Sequence, residues 1–157
     1  MSAETWSALP EGAAEQRWGL ERDVLGAALL DPEYALRIAR KRLSGGDFSS
    51  ISHRTAWVVL CELDDAGAAV TIPTVADRLV RTNRLRHIDG GVAGISQLAD
   101  EVATAALIDE QAKLLRILAL ESELRRAYLD ASAGDLLEEG EAEIRALCEA
   151  LRGARAS

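Results

Sequence analysis

The segment LERDVLGAALLDP at residues 20–32 restricts the fold more than any other part of the chain. Its apolar residues recur every three or four positions, which predicts a helix with one apolar face. Gly26 lies inside this helix, where glycine costs about 1 kcal/mol relative to alanine, so we expect another helix to approach its backbone closely. Asp31 is a favourable N-cap and Pro32 a favourable first helical residue, so a second helix should start with almost no loop between them.

The remaining sequence predicts an all-α protein with two parts. Only 4% of the residues are aromatic and 48% are apolar, so the core must be built mainly from aliphatic side chains. We expect a flexible tail over residues 1–14, a compact helical bundle (the head) over 15–102, and an antiparallel two-helix hairpin (the arm) over 103–152. A short tail should follow at 153–157. Phe48, the single phenylalanine, is the expected aromatic anchor of the head.

The arm predicts self-association. Its first helix should cover residues 104–131, since this stretch has a helical apolar pattern without glycine or proline. Two helices alone bury little apolar surface, so the uncovered part should contact a second copy or another protein. The residues expected to form this contact are Leu114, Leu118, Leu124, Tyr128, Ile144 and Leu151.

The charge distribution argues against broad nucleic-acid binding. The formal net charge is −8, whereas phosphate contacts need clustered cations. The strongest basic cluster is formed by Arg78, Arg81, Arg84 and Arg86. This cluster is either a solvated surface or a contact for a partner or nucleic acid, and no aromatic residue lies among its arginines to stack on bases.

A small helical DNA-binding regulator is the alternative hypothesis. In it, residues 71–87 form the second helix of a helix-turn-helix, and the arginines that follow contact phosphates. The net charge counts against this alternative, and we expect direct DNA binding to be weak or absent.

The sequence predicts no catalytic, cofactor-binding or metal-binding residue. His53, beside Arg54, resembles a general base, but no nucleophile or metal-ligand set accompanies it, so a packing role is favoured. The chain lacks the GxxxxGK[ST] motif that cradles phosphates, and its two cysteines form no CxxC pair. It also has no apolar signal core and no run of about 20 apolar residues, which predicts a cytoplasmic protein without membrane contact.

Five short motifs, in this order, resemble the N-terminal domain of the DnaB-type replicative DNA helicases. They are Glu21 with Val24-Leu25-Gly26 and Leu29-Leu30-Asp31-Pro32; Asp47-Phe48 with His53-Arg54; Val70-Thr71 with Thr74-Val75-Ala76 and Leu79; Gly90-Gly91 with Leu98-Ala99-Asp100; and Ala105-Ala106 before the arm. The chain departs from the family pattern at Ile51, where the family usually carries proline.

This resemblance implies a function as well as a fold. It implies a non-catalytic module of DNA replication that assembles with copies of itself at a replicative helicase. It also implies that the head and arm dock primase or a helicase loader. The motor domain of such helicases needs a P-loop, and this sequence contains none.

Overall fold

The computed structural model of the chain describes residues 12–133 and 137–157, and within these ranges it contains helices and turns but no strand. The seven α-helices are α1 (Ala13–Leu30), α2 (Arg37–Arg42), α3 (Ile51–Asp65), α4 (Ile72–Arg81), α5 (Gly91–Asp100), α6 (Ile108–Ala133) and α7 (Leu137–Ala156). A π-helical turn at Pro32–Leu36 leads into α2, and 3₁₀ turns form at Gly45–Asp47 and Leu85–His87. The expected all-α fold is therefore confirmed.

The corner between α1 and α2 forms as the sequence predicts. Helix α1 ends at Leu30, and only Asp31 separates it from the π-helical turn. Asp31 Oδ1 accepts a hydrogen bond of 3.2 Å from the backbone N–H of Tyr34, as an N-cap should. Ser50 and Thr71 cap α3 and α4 in the same way, so local side-chain chemistry fixes where these helices begin.

Helix α1 is the central element of the head. It packs against α3, α5 and α6, and its residues Val24 and Leu25 are completely buried. Phe48 is also completely buried and stacks on Trp57, with ring centroids 5.1 Å apart. The expected aliphatic core with Phe48 as its aromatic anchor is confirmed.

Gly26 is the point of closest approach between α1 and the end of α5. A Cβ atom at this position would lie less than 3.0 Å from both the carbonyl oxygen of Leu98 and Cγ2 of Val102. Because one of these neighbours is backbone, it has little freedom to move aside. The predicted close approach at Gly26 is confirmed.

A buried carboxylate joins α1 to the segment before α3. Glu21 is completely buried and accepts hydrogen bonds from the backbone N–H and the hydroxyl of Ser49, at 2.6 and 2.5 Å. Nδ1 of His53, which is also buried, lies 3.3 Å from Glu21 Oε1. Burial raises the pKa of Glu21, but the hydrogen bonds from His53 and Ser49 outweigh it and hold the pKa below its usual range. The carboxylate is therefore charged inside the folded head.

Asp47 connects the same segment to α6. Its side chain accepts a hydrogen bond of 2.9 Å from the backbone N–H of Ser44 and forms a 2.6 Å ion pair with Arg116. Arg17 of α1 donates a 2.9 Å hydrogen bond to the carbonyl oxygen of Asp47. Residues 44–49 are thus bonded to α1, α3 and α6 together.

Helix α6 belongs to two hydrophobic cores. Ile108, Ala112 and Leu115 are buried in the core of the head, whereas Leu120 packs with Leu151 of α7 in a separate, smaller core. The sequence predicts a division between head and arm near residue 102, whereas the two hydrophobic cores meet within α6. The first half of the long helix completes the head, and the second half forms the hairpin with α7.

Some helix limits in the arm differ from the prediction. Helix α6 begins at Ile108 rather than near residue 104, and the Thr104 hydroxyl accepts a hydrogen bond from the backbone N–H of Ala106 in a local turn before it. Helix α7 extends to Ala156, so the tail expected at 153–157 is largely helical. The N-terminal tail is predicted over residues 1–14, and residues 1–11 of this range lie outside the described residues. None of the described helices combines the length and apolar character needed to cross a bilayer.

Replacing Glu21 with glutamine should lower the free energy of unfolding by about 2 kcal/mol near neutral pH, because hydrogen bonds to a charged acceptor contribute about 1.5–3 kcal/mol. The folded-state pKa of Glu21 is depressed, so its stabilising effect is present above the unfolded pKa and is lost as the pH falls through the folded pKa. Urea denaturation at several pH values should therefore show the difference between wild type and Glu21→Gln shrinking below about pH 4. A difference that does not change with pH would contradict a charged, buried Glu21.

Replacing Gly26 with alanine should destabilise the head by about 1–3 kcal/mol, because the new methyl group forces α1 away from the end of α5. Gly19 on the same helix is the matched control, since a Cβ there meets no atom within 4 Å. Gly19→Ala should stabilise the protein by up to about 1 kcal/mol through helix propensity. Thermal unfolding measures both variants, and equal effects would show that α1 and α5 are not in close contact.

Candidate interaction surface

Helix α6 has three faces, and the chain itself covers two of them. One face, with Ile108 and Leu115, lies in the head core, and a second, with Leu120 and Leu124, lies in the hairpin core. At 3.6 residues per turn, a third face lies within about 40° of Leu118 around the helix axis. It carries Leu107, Gln111, Leu114, Leu118, Arg125 and Leu129. This third face of α6 is the candidate interaction surface.

Exposed leucines form a row along the third face. Leu114 is 37% exposed and Leu129 is 40% exposed, while Leu107, directly before the helix, is 52% exposed. Leu118 is half-buried and lies between them on the same side. Four large apolar side chains thus follow one line, and no described residue of the chain covers them fully.

The sequence predicts self-association through Leu114, Leu118, Leu124, Tyr128, Ile144 and Leu151. In the structure Leu124 and Leu151 are buried in the hairpin core, and Ile144 packs against them. They are therefore not free surface, because α7 already covers this side of α6. Leu114 and Leu118 lie on the third face, and the tyrosine is half-buried at its edge. The apolar residues predicted to form one stripe on α6 form two. Helix α7 covers one of them, and the other is at least partly exposed.

Two polar atoms of the third face lack partners. Gln111 Oε1 and Arg125 Nε are buried, and neither forms a hydrogen bond within the described part of the chain. One is an acceptor and the other a donor, and a buried polar atom without a partner costs about 1–3 kcal/mol. Gln111 precedes Leu118 by one heptad and Arg125 follows it by one heptad, so the two atoms are placed symmetrically about Leu118.

The basic cluster at residues 78–86 is largely neutralised by carboxylates. Arg84 and Arg78 both contact Glu62 Oε2, at 2.5 and 3.3 Å. The hydrogen bond from Arg84 is the main reason why the pKa of Glu62 is held below its usual range. Arg81 pairs with Asp77 on its own helix at 2.8 Å, and Arg86 is the one arginine of the cluster without an ion pair to a described residue. Little of the cluster's charge is left for phosphate contacts.

Two groups with possible chemical reactivity, His53 and Cys61, are packed into the head. His53 is 3% exposed and contacts Glu21, consistent with the packing role favoured by the sequence. Burial raises the pKa of the Cys61 thiol to about 11, so this thiol stays protonated and unreactive at neutral pH. Among the described residues, no three His, Cys, Asp or Glu side chains are grouped so that they can hold a metal ion.

The roles of Glu21 and Asp47 were not predicted from the sequence. A signal for Glu21 was present, because it lies three residues before Val24 and four before Leu25, on the buried face of α1. A carboxylate in such a position needs hydrogen-bond donors inside the protein. No comparable signal marks Asp47, whose partner Arg116 is distant in the sequence.

Comparison with known families identifies the fold. The model of the DnaB-like helicase N-terminal domain family matches residues 13–117, which extend from the start of α1 into α6. The N-terminal domain of DnaB helicase from Mycobacterium tuberculosis, solved by crystallography, superposes with a TM-score of 0.74 at 28% sequence identity. That match covers 80% of this chain and 94% of the solved domain.

Full-length relatives give the same family. The chain is 36% identical to the replicative DNA helicase DnaC of Bacillus subtilis over 95 residues and 37% identical to DnaB of Geobacillus stearothermophilus over 113 residues. It is 32% identical to DnaB of Treponema pallidum over 141 residues. These matches cover 60%, 72% and 84% of this chain, but only 20%, 24% and 32% of the relatives. The chain belongs to the family of DnaB-like helicase N-terminal domains.

Proposed function

We propose that the chain is a non-catalytic assembly module of DNA replication whose arm pairs with a second copy of the chain through the third face of α6. The observation that carries this proposal is the row of exposed leucines beside two unpaired polar atoms. An exposed apolar surface is stabilised when a complementary surface covers it.

The positions of these residues favour an antiparallel pair. In a two-fold interface centred on Leu118, each residue meets one equally distant on the other side of the centre. Leu107 then lies opposite Leu129 of the second copy, and Gln111 lies opposite Arg125 of the second copy. The exposed leucines cover one another, and the side chain of Gln111 in one chain lies beside the side chain of Arg125 in the other.

Docking of replication proteins is the second part of the proposal. The family relatives are named replicative DNA helicases, and the resemblance of the sequence implies primase or a helicase loader as partners at the head and arm, in the cytoplasm. Light scattering of the chain mixed with its cognate helicase, and separately with primase, tests this part. A complex heavier than either component supports docking, and separate elution from both contradicts it.

No contact among the described residues favours the alternative of a small DNA-binding regulator. Three of the four arginines in its proposed phosphate-binding segment are held by Glu62 or Asp77. Releasing them for DNA would break these ion pairs, and the net charge of −8 adds long-range repulsion.

Leu118→Asp should weaken self-association by at least about tenfold in Kd, because it places a charge at the centre of an apolar contact. Sedimentation velocity over a range of protein concentrations measures the change. Val80→Asp is the matched control, since Val80 is 60% exposed on α4 of the head. It should leave the association unchanged, and equal behaviour of the two variants would contradict pairing through α6.

The antiparallel register makes a sharper prediction for the polar pair. Arg125→Glu should weaken association, because it removes the donor that faces Gln111 of the second copy. Adding Gln111→Arg to the same chain should restore association, since each copy then places an arginine opposite a glutamate. A double variant that associates as weakly as Arg125→Glu alone would exclude this register.

A further inference from the structure

A cavity of about 530 Å³ lies between residues 45–49 and the middle of α6. Three arginines from three different helices line it: Arg17 of α1, Arg54 of α3 and Arg126 of α6. Glu123 is the single acidic residue of the lining, so three positive charges face one negative charge. In a chain with a net charge of −8, this concentration of positive charge is local and specific.

The charges of these three arginines are not neutralised within the chain. Nine other arginines have a carboxylate oxygen within 4.0 Å, whereas Arg17, Arg54 and Arg126 have none among the described residues. Arg17 and Arg54 donate only to the backbone carbonyl oxygens of Asp47 and Phe48. These contacts orient the guanidinium groups but leave their charge available to a ligand.

A buried donor in the same lining also lacks an acceptor. Arg17 Nε is buried and forms no hydrogen bond to any described residue. Among the described residues Arg17 donates only from Nη2, to the carbonyl oxygen of Asp47, so its remaining Nη donors are available to an additional acceptor. This observation is independent of the ion-pair pattern and concerns the same cavity.

We propose that this cavity binds the phosphate groups of a small molecule, with Arg17, Arg54 and Arg126 as the binding residues. The guanidinium fork matches the geometry of phosphate oxygens and forms paired, charge-assisted hydrogen bonds with them. Gly45 and Gly46 contribute no side chains to the lining, and Phe48 is completely buried, so no exposed aromatic ring of the lining can stack on a base. The site therefore recognises phosphate groups rather than the rest of the ligand. This proposal does not depend on the pairing of the arms.

Isothermal titration of the full chain with pyrophosphate tests the proposal. Wild type should bind with saturation at one site, and Arg126→Gln should bind at least about tenfold more weakly. Arg126 is exposed and has no ion pair to a described residue, so its replacement should leave the melting temperature unchanged. Arg86→Gln is the matched control, because Arg86 is also exposed and unpaired but lies outside the cavity, and it should bind like wild type.

A second variant and a second set of ligands complete the test. Ser122→Asp adds a negative charge to the lining and should also weaken the binding of pyrophosphate. ADP and CDP should bind alike, as expected when phosphate alone is recognised. Failure to saturate below about 10 mM pyrophosphate, or equal binding by wild type and Arg126→Gln, would overturn the proposal. Tighter binding of a 5′-phosphorylated oligonucleotide than of pyrophosphate would overturn the small-molecule assignment in favour of nucleic acid.

Discussion

The head depends on the buried carboxylate of Glu21. An ionised carboxylate inside a protein is unfavourable by several kcal/mol unless donors surround it, and here the backbone and hydroxyl of Ser49 and the ring of His53 do so. These contacts fix the segment before α3 against α1. Asp47 in the same segment then binds Arg116 of α6, so the position of the arm follows from polar contacts that begin inside the head.

Helix α6 fixes the orientation of the arm relative to the head. Its first turns complete the head core through residues such as Leu115, and its later turns form a separate core with α7 through Leu120. A helix shared by two cores cannot rotate about its axis without disrupting both. The direction in which its third face points is therefore fixed relative to the head. A fixed apolar face is suited to pairing with a second copy, because little conformational freedom is left to lose on association.

Local features of the fold could be predicted from the sequence, whereas contacts between distant residues could not. The corner at Asp31 depends on neighbouring residues and was predicted correctly. The close approach at Gly26 was predicted from the glycine itself, but its partners Leu98 and Val102 were not. The ion pairs of the basic cluster with Glu62 were not foreseen, since the glutamate lies on another helix. Helical periodicity shows how many residues are apolar on each side of α6, but not which of them α7 covers.

The same limit applies to the two candidate sites. Leu114 and Leu118 were identified from the sequence because they belong to a periodic apolar pattern. The cavity with Arg17, Arg54 and Arg126 was not, because its residues come from three helices and share no spacing. Such a site becomes visible only when the positions of these three arginines and their lack of carboxylate partners among the described residues are known.

Cross-linking through a single cysteine tests the central claim, that α6 pairs with a second copy about Leu118, most directly. With Cys61 and Cys148 replaced by alanine, the chain would carry Leu118→Cys and react with a short bis-maleimide. The antiparallel pair predicts an efficient covalent dimer at this position and only monomer for Val80→Cys on the head. Equal cross-linking at both positions, or none at Leu118→Cys at concentrations where the protein sediments as an oligomer, would contradict it.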